Sequence, residues 1–252
     1  MKAVFWAGVG TLFPFLMTIT GAALVFLLKN QKEDGPCMGF AAGVMSAAAV
    51  FSMLLPAMRQ EAGGWLTVTL GFALGAAMIA GVDAFLGRTQ RLQGVSASAK
   101  RRLMMYAAIT LHNIPEGMAV GLSFARAAQH TGNAGLFAAA GALAIGIGIQ
   151  NFPEGAAVAL PLHQEGLSRA RSFVYGSLSG IVEPIFGVLV VLCASALTPF
   201  MPWLLSAAAG AMLYVVVEEL IPEAHLGEHS HPGTLGVMAG FLVMMVLDTA
   251  LG

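Results

Sequence analysis

The sequence predicts an all-α protein that crosses a lipid bilayer several times. Of its 252 residues, 58% are apolar and only 10% are charged, whereas a soluble domain has about 25% charged residues. Apolar stretches of about 20 residues, the length that spans a bilayer as a helix, occur eight times along the chain. The fourth and fifth stretches share a motif, HNIPEG in one and QNFPEG in the other. We therefore expect residues 1–252 to form one transmembrane domain of eight helices that contains an inverted repeat.

The predicted helices leave almost no residues for a soluble domain. The first follows Lys2 but runs for about 25 residues and lacks a convincing small-x-small cleavage site, so we interpret it as a retained helix and not a signal peptide. The 31 glycines suit helices that pack closely in lipid. The eight predicted helices cover about residues 4–28, 37–58, 64–87, 103–126, 135–162, 172–197, 200–222 and 234–251.

The distribution of basic residues predicts the orientation of the chain, because cytoplasmic loops are enriched in Lys and Arg. With the N-terminus outside, nine basic residues fall in inner loops and three in outer segments. We therefore expect both termini to be extracellular or periplasmic in the cell (inner) membrane, with a cytoplasmic loop at 88–102. The inner residues are Lys29, Lys32, Arg88, Arg91, Lys100, Arg101, Arg102, Arg169 and Arg171, and the outer ones are Lys2, Arg59 and Arg126.

The charge and cysteine content argue against a nucleic-acid surface, a disulfide framework and a cysteine-based zinc site. A formal charge of −1 leaves no basic surface for nucleic acid. The only two cysteines, Cys37 and Cys193, are too few for a disulfide framework or a zinc knuckle. We interpret both as packing residues.

The repeated motif is the most informative feature of the sequence. Residues 112–122 read HNIPEGMAVGL and residues 150–160 read QNFPEGAAVAL, which share the pattern N-x-P-E-G-x-A-V-x-L at a spacing of 38. Consecutive membrane helices are antiparallel, so the two copies have opposite directions. Such inverted repeats are typical of transporters, whose substrate site lies at the repeat interface near the bilayer midplane.

Three acidic residues are predicted near mid-bilayer: Glu116, Glu154 and Glu183. Each carboxylate there costs about 2.5–3.5 kcal/mol on insertion scales, so together they require about 8–10 kcal/mol of compensation. No Lys or Arg lies deep in a predicted span. The compensating charge is therefore expected to be a bound cation or protons.

The spacing of the motif residues favours a metal ion. Helical positions four apart share a face, so His112 lies with Glu116, and Gln150 lies with Glu154. Asn113 and Asn151 adjoin these faces. Imidazole, carboxylate and amide donors suit zinc, cadmium, manganese, iron, cobalt or nickel, and the absence of thiolate argues against copper(I).

Proline accompanies each of the three carboxylates. Pro115 and Pro153 lack an N–H and clash with the carbonyl four residues earlier, which frees backbone oxygens beside the polar residues. Pro184 directly follows Glu183. Irregular backbone at this depth is tolerated where it lines a protein interior or a watery path, whereas a single proline is equally consistent with an ordinary helix kink.

Taken together, HNIPEG in the fourth span, the second N-x-P-E-G in the fifth and Glu-Pro in the sixth resemble the ZIP (Zrt/Irt-like) family of divalent metal transporters, particularly its bacterial GufA-like branch. The resemblance covers essentially the whole chain. It implies eight helices in a 3+2+3 arrangement and transport of zinc, cadmium and related ions into the cytoplasm, with no prosthetic group.

The resemblance also implies a two-metal site, with Glu116 and Glu154 as bridging ligands. Gln150 stands where histidine is frequent in the family, and Asn151 where an acidic residue often occurs. Fewer negative charges predict a weaker second metal, or one metal only. The implied first set is Met45, His112, Glu116, Gln150 and Glu154, and the second set is Asn113, Glu116, Asn151, Glu154 and Glu183.

Further residues are candidates for the ion path. By resemblance, Ser52 is assigned to the outer path, and the inner path is assigned Asp83, Glu218, Glu219, His229 and Asp248. For the histidine-bearing loop that contains His229, a solvated surface loop is an equally good interpretation.

Two other functions fit the sequence less well than metal transport. An intramembrane metalloprotease would usually contain H-E-x-x-H, which is absent from the sequence, so we do not expect an enzyme. A proton-coupled carrier of an organic solute would leave His112 and the paired amides without a common role. The sequence leaves open the order of metal selectivity, a carrier or a channel-like path, and the oligomeric state, for which a homodimer is one candidate.

Overall fold

The computed structural model describes residues 2–28, 31–60, 64–88, 97–130, 134–164, 166–193, 197–224 and 231–251. Within these ranges nearly every residue is helical and none lies in a strand. The side chains of 31–34, 83, 86–88, 97–105, 108, 112, 198, 223 and 251 are outside the described set. The predicted all-α class is confirmed for the described ranges.

The described helices are numbered α1 to α8, and four of them are interrupted. Prolines and small residues lie at or near the interruptions, for example Pro56 just after the π-helical part of α2 and Gly180 between the two parts of α6. The bounds are α1, Lys2–Ala22 and Leu24–Leu27; α2, Gln31–Ala48, π-helical Ala49–Leu54 and Leu55–Arg59; α3, Trp65–Arg88; α4, Ala97–Gln129; α5, Ala134–Gln164; α6, Arg169–Ser179 and Val182–Leu192; α7, Met201–Val215, π-helical Val216–Leu220 and Ile221–Glu223; and α8, His231–Leu251.

Seven of the described helices, α1 to α3 and α5 to α8, are long and apolar enough to cross a bilayer. The chain is therefore a multi-pass membrane protein. Helix α4 has 33 residues, or about 50 Å of helix, but the polar motif at its centre lowers its mean hydropathy. Its crossing, and the total of eight, remain predictions.

The start of α4 corrects one predicted boundary. The cytoplasmic loop was predicted over 88–102, but α4 already begins at Ala97. Ala, Lys and Arg all favour helix, and five of the six residues at 97–102 are of these types. The C-terminal part of the predicted loop is therefore helical, whereas residues 89–96 lie outside the described ranges.

Glycine contacts join α1, α4, α5 and α6 into one closely packed group, here called the motif group. A Cβ added at Gly155 in α5 would overlap the backbone of Thr18 in α1, and one at Gly117 in α4 would overlap the backbone of Glu183 in α6. Small residues allow this approach and dominate helix interfaces in lipid. All of the motif carboxylates lie on helices of this group.

Helices α2, α3, α7 and α8 form a second group, here called the flanking group. Gly43 in α2 packs against the backbone of Val237 in α8, and Gly210 in α7 packs against the backbone of Phe72 in α3. The two groups meet mainly through α5 against α2 and α4 against α7. Alanine, valine and methionine side chains fill the core between them.

Candidate metal centre

Six of the predicted ligands converge in the interior of the motif group. Each is 2% exposed or less, although all are polar or charged: Asn113, Glu116, Gln150, Asn151, Glu154 and Glu183. Charged side chains are rarely buried to this extent unless they are paired or bind a metal. The burial therefore marks this cluster, here called the polar centre, as a candidate functional site.

The three helices of the polar centre present these side chains in different ways. Helices α4 and α5 continue through Pro115 and Pro153, so each motif stays on one helical face. Helix α6 is interrupted at Gly180 and Ile181, and Glu183 lies in the first turn of its second part. The break turns a carboxylate from α6 towards the α4 and α5 motifs.

Amide groups of α5 connect the carboxylates of the neighbouring helices. Gln150 Nε2 donates a hydrogen bond to Glu116 Oε1 of α4. Asn151 Nδ2 donates to Glu183 Oε1 of α6 at 2.8 Å. The corresponding amide of α4 is held differently, because Asn113 Nδ2 donates to the backbone carbonyl of Ser179 at 3.2 Å.

Several oxygen atoms of the polar centre lack a hydrogen-bond partner in the described part of the chain. They include the side-chain carbonyls of Asn113, Gln150 and Asn151, and Oε2 of Glu183. Each buried acceptor without a partner costs about 1–3 kcal/mol. A cation bound among these oxygens would satisfy them together.

The donor set of the polar centre mixes carboxylates with amides. Among the described side chains, no group of three or more His, Cys, Asp and Glu is arranged to hold a metal ion. The side chain of His112 is outside the described set, so the imidazole predicted for the first metal remains a prediction. The described donors are oxygens, which suit divalent cations from magnesium to zinc.

Met45 is fully buried in α2, on the flanking group. It belongs to the main apolar cluster, which also contains Ala156 and Ala157 of α5, immediately after the motif residue Glu154. Burial in an apolar cluster is usual for a core methionine, so its role as a ligand remains a prediction.

Thr18 of α1 is a neighbour of the polar centre that the sequence did not indicate. Its side chain is fully buried, its backbone lies against Gly155, and its hydroxyl lies near Glu183. A single threonine in an apolar span has no distinguishing pattern. Its proximity became visible only through the close packing of α1 on α5 and α6.

The residues predicted for the inner path are only partly described. Glu218 and Glu219 both lie in the π-helical part of α7, where the first is exposed and the second is 7% exposed. The side chain of Asp83 and the whole of His229 lie outside the described residues. Their assignment to the path remains a prediction.

Asp248 and Ser52 lie together at the end of the bundle where α2 and α8 finish. Ser52 Oγ is 2.9 and 3.0 Å from the two carboxylate oxygens of Asp248 and donates to them. The sequence placed Ser52 on the outer path and Asp248 on the inner path, and these two placements cannot both hold. Both residues line one cavity of about 530 Å³, here called the Asp248 cavity.

Comparisons with known proteins identify the family. Residues 89–248 match the family model described as ZIP zinc transporter. The chain is 37% identical to zinc transporter GufA of Myxococcus xanthus, covering 93% of this chain and 95% of the relative. It is 37% identical to zinc transporter ZIPB of Bordetella bronchiseptica, covering 98% and 82%.

A human relative shows the same similarity over the full length. The chain is 35% identical to human zinc transporter ZIP11, covering 100% of this chain and 98% of the relative. The family match includes α4, α5 and α6, which together hold the polar centre. The chain belongs to the ZIP zinc transporter family.

Proposed function

We propose that this protein carries divalent transition-metal ions, zinc above all, across the membrane into the cytoplasm through the polar centre. The observation that supports this most is the burial of Glu116, Glu154 and Glu183 beside amide oxygens that have no hydrogen-bond partner among the described residues. Such a cluster is costly without a cation. The relatives named as zinc transporters make zinc the first substrate to test.

The hydrogen bonds support two overlapping ligand sets. Gln150 and Glu116 are joined by a hydrogen bond and belong to the proposed first set. Asn151 and Glu183 are bonded to each other and belong to the proposed second set. An amide at Asn151 contributes no charge, so the second set holds its metal more weakly than the first.

The division into two helix groups supports a carrier mechanism. The described members of the polar centre all lie in the motif group, so an ion bound there can move with that group as a unit. Close glycine contacts hold each group together internally. We infer that the motif group shifts against the flanking group and exposes the polar centre alternately to the two sides of the membrane.

A second repeat in the flanking group supports the inverted arrangement. Residues 71–87 read GFALGAAMIAGVDAFLG and residues 236–252 read GVMAGFLVMMVLDTALG, with G-x-x-x-G, an aspartate and Leu-Gly at matching positions. The glycine contacts match as well, since Gly43 packs on Val237 and Gly210 packs on Phe72. Helix α2 thus contacts α8 in the way that α7 contacts α3. This is expected if α1–α3 and α6–α8 are two inverted halves, in which α2 corresponds to α7 and α3 corresponds to α8.

Zinc uptake by proteoliposomes tests the proposal. Glu116→Ala should abolish uptake while the protein still inserts, because it removes a carboxylate from both ligand sets. Glu61→Ala, in a predicted outer loop, is the matched control and should leave uptake unchanged. Normal uptake by a correctly inserted Glu116→Ala variant would refute the assignment of the polar centre.

The same preparation tests substrate range and mechanism. Competition of zinc uptake by cadmium, manganese, iron, cobalt and nickel gives the selectivity order, which donor chemistry alone does not determine. A carrier should show saturable flux that is insensitive to voltage. Large unitary currents driven by voltage would contradict the carrier mechanism.

A further inference from the structure

The Asp248 cavity contains two opposite charges that face the same space. Its charged lining residues are Asp248 of α8 and Arg59 of α2, with Ser52 and Thr249 as polar neighbours. The α5 wall consists of small and apolar residues, including Gly146 and Ile147. Among the described residues, the charged groups that line the cavity are therefore one carboxylate and one guanidinium.

These two charges are separated within the cavity. The carboxylate of Asp248 accepts from Ser52, and among the described residues no ion pair joins it to Arg59. Arg59 lies seven positions after Ser52 in α2, which corresponds to about 10 Å between the two backbone positions along the helix axis. The Arg59 side chain is exposed and Asp248 is partly buried, so the guanidinium lies nearer the surface of the chain than the carboxylate.

The cavity is also larger than a single ion requires. Its volume of about 530 Å³ falls in the range of about 300–1,000 Å³ that is typical of small-molecule sites. Its inner limit at Ile147 lies three residues before Gln150, or about 4.5 Å along α5. The inner end of the cavity is therefore about one turn of α5 from the polar centre.

We propose that the Asp248 cavity receives the metal as a complex with a small carboxylate anion, with Arg59 binding the anion and Asp248 facing the metal. Guanidinium binds carboxylates by two parallel hydrogen bonds, and Asp248 with Ser52 offers oxygen donors to the cation. The inference rests on the proposed transport function. It adds a site for an anion, which is distinct from the polar centre.

The proposal predicts effects of opposite sign for one substitution. With the helix rise of about 10 Å between Arg59 and Ser52 taken as the separation of the charges, repulsion by Arg59 lowers the occupancy of a bare divalent ion beside Asp248 about fourfold in water-like surroundings. Arg59→Gln should therefore increase uptake of free zinc by about that factor at low ionic strength. The same variant should also lose the additional uptake that zinc citrate gives the wild type, because the anion has lost its partner.

Zinc uptake at fixed free zinc, with and without zinc citrate, is the test in proteoliposomes. We expect citrate-bound zinc to increase uptake by the wild type and to leave Arg59→Gln unchanged. Arg126→Gln is the matched control, because Arg126 is also an exposed arginine near a helix end but does not line the cavity. It should behave as the wild type.

Two results would overturn the inference. One is wild-type uptake that follows free zinc alone, whatever the citrate concentration. The other is an equal change in Arg59→Gln and Arg126→Gln, which would indicate a general effect of surface charge. Saturable uptake of free zinc by the wild type checks the proposed function separately, so failure of the anion site and failure of transport are distinguishable.

Discussion

Replacing Asn151 by aspartate tests how the polar centre balances its charge. In the wild type, Asn151 Nδ2 donates to Glu183 Oε1 at 2.8 Å. Asn151→Asp removes this donor and places a second carboxylate against the first. The variant should be less stable than the wild type without metal, and it should gain more stability from zinc.

The size of the effect follows from two contributions. Loss of a hydrogen bond to a charged acceptor costs about 1.5–3 kcal/mol. A further carboxylate at membrane depth costs about 2.5–3.5 kcal/mol. The metal-free variant should therefore lose about 4–6.5 kcal/mol of stability.

Asn113→Asp is the matched control, because Asn113 occupies the equivalent position in the α4 motif. Its amide donates to the neutral backbone carbonyl of Ser179, so the lost hydrogen bond is worth only about 0.5–1.5 kcal/mol. We expect its metal-free stability to lie between those of the wild type and Asn151→Asp.

Thermal unfolding of the purified protein, first with a chelator and then over a zinc titration, measures both effects. Ligand that binds only the folded state stabilises it in proportion to the logarithm of its concentration above Kd. The reasoning is refuted if Asn151→Asp is as stable as the wild type in chelator. It is equally refuted if zinc stabilises the two proteins to the same extent.

Two further experiments test the packing and the relative movement of the helix groups. Gly155→Ala should destabilise the protein because its Cβ would overlap the backbone of Thr18. A Cβ at Gly141 in the same helix meets no described atom within 4 Å, so Gly141→Ala should gain up to about 1 kcal/mol of stability. Thermal unfolding of both variants checks this, and equal stability would contradict the close contact. Cysteines at Gly146 and Asp248, in a background without native cysteines, would link the two groups across the Asp248 cavity. Oxidation should stop zinc uptake by the double variant, and a reductant should restore it. Oxidation should not change uptake by either single variant. Unchanged flux in the cross-linked protein would contradict relative movement of the groups.

Much of the fold could be predicted from the sequence, because a membrane helix depends mainly on the length and composition of one segment. The α1 and α5 spans were predicted within a few residues of the observed helices. The sequence also singled out the motif residues, since an acidic residue within an apolar span is costly enough to indicate a function, and their role as metal ligands stays a prediction. The burial of Glu116, Glu154 and Glu183 agrees with this interpretation.

Features that depend on contacts between distant helices were not predictable in the same way. The hydrogen bond between Ser52 and Asp248 joins residues 196 positions apart, and each residue alone is an ordinary polar side chain near a helix end. Thr18 approaches the polar centre because Gly155 lets α1 come close to α5. The interruption of α6 before Glu183 likewise reflects packing, since the sequence there reads as one apolar span.

The repeat itself explains why the two motifs are not chemically equivalent. The motifs of α4 and α5 match residue for residue, but their described amide hydrogen bonds differ. The amides of α5 donate to Glu116 through Gln150 and to Glu183 through Asn151, whereas Asn113 of α4 donates to a backbone carbonyl. An amide can donate to a carboxylate in the absence of metal and offer its carbonyl oxygen when metal binds. A histidine and an acid at these two α5 positions would bind metal more strongly but would add charge to the metal-free centre. Under the proposed carrier mechanism, the amides of α5 would keep the empty protein stable and let it release its ion readily.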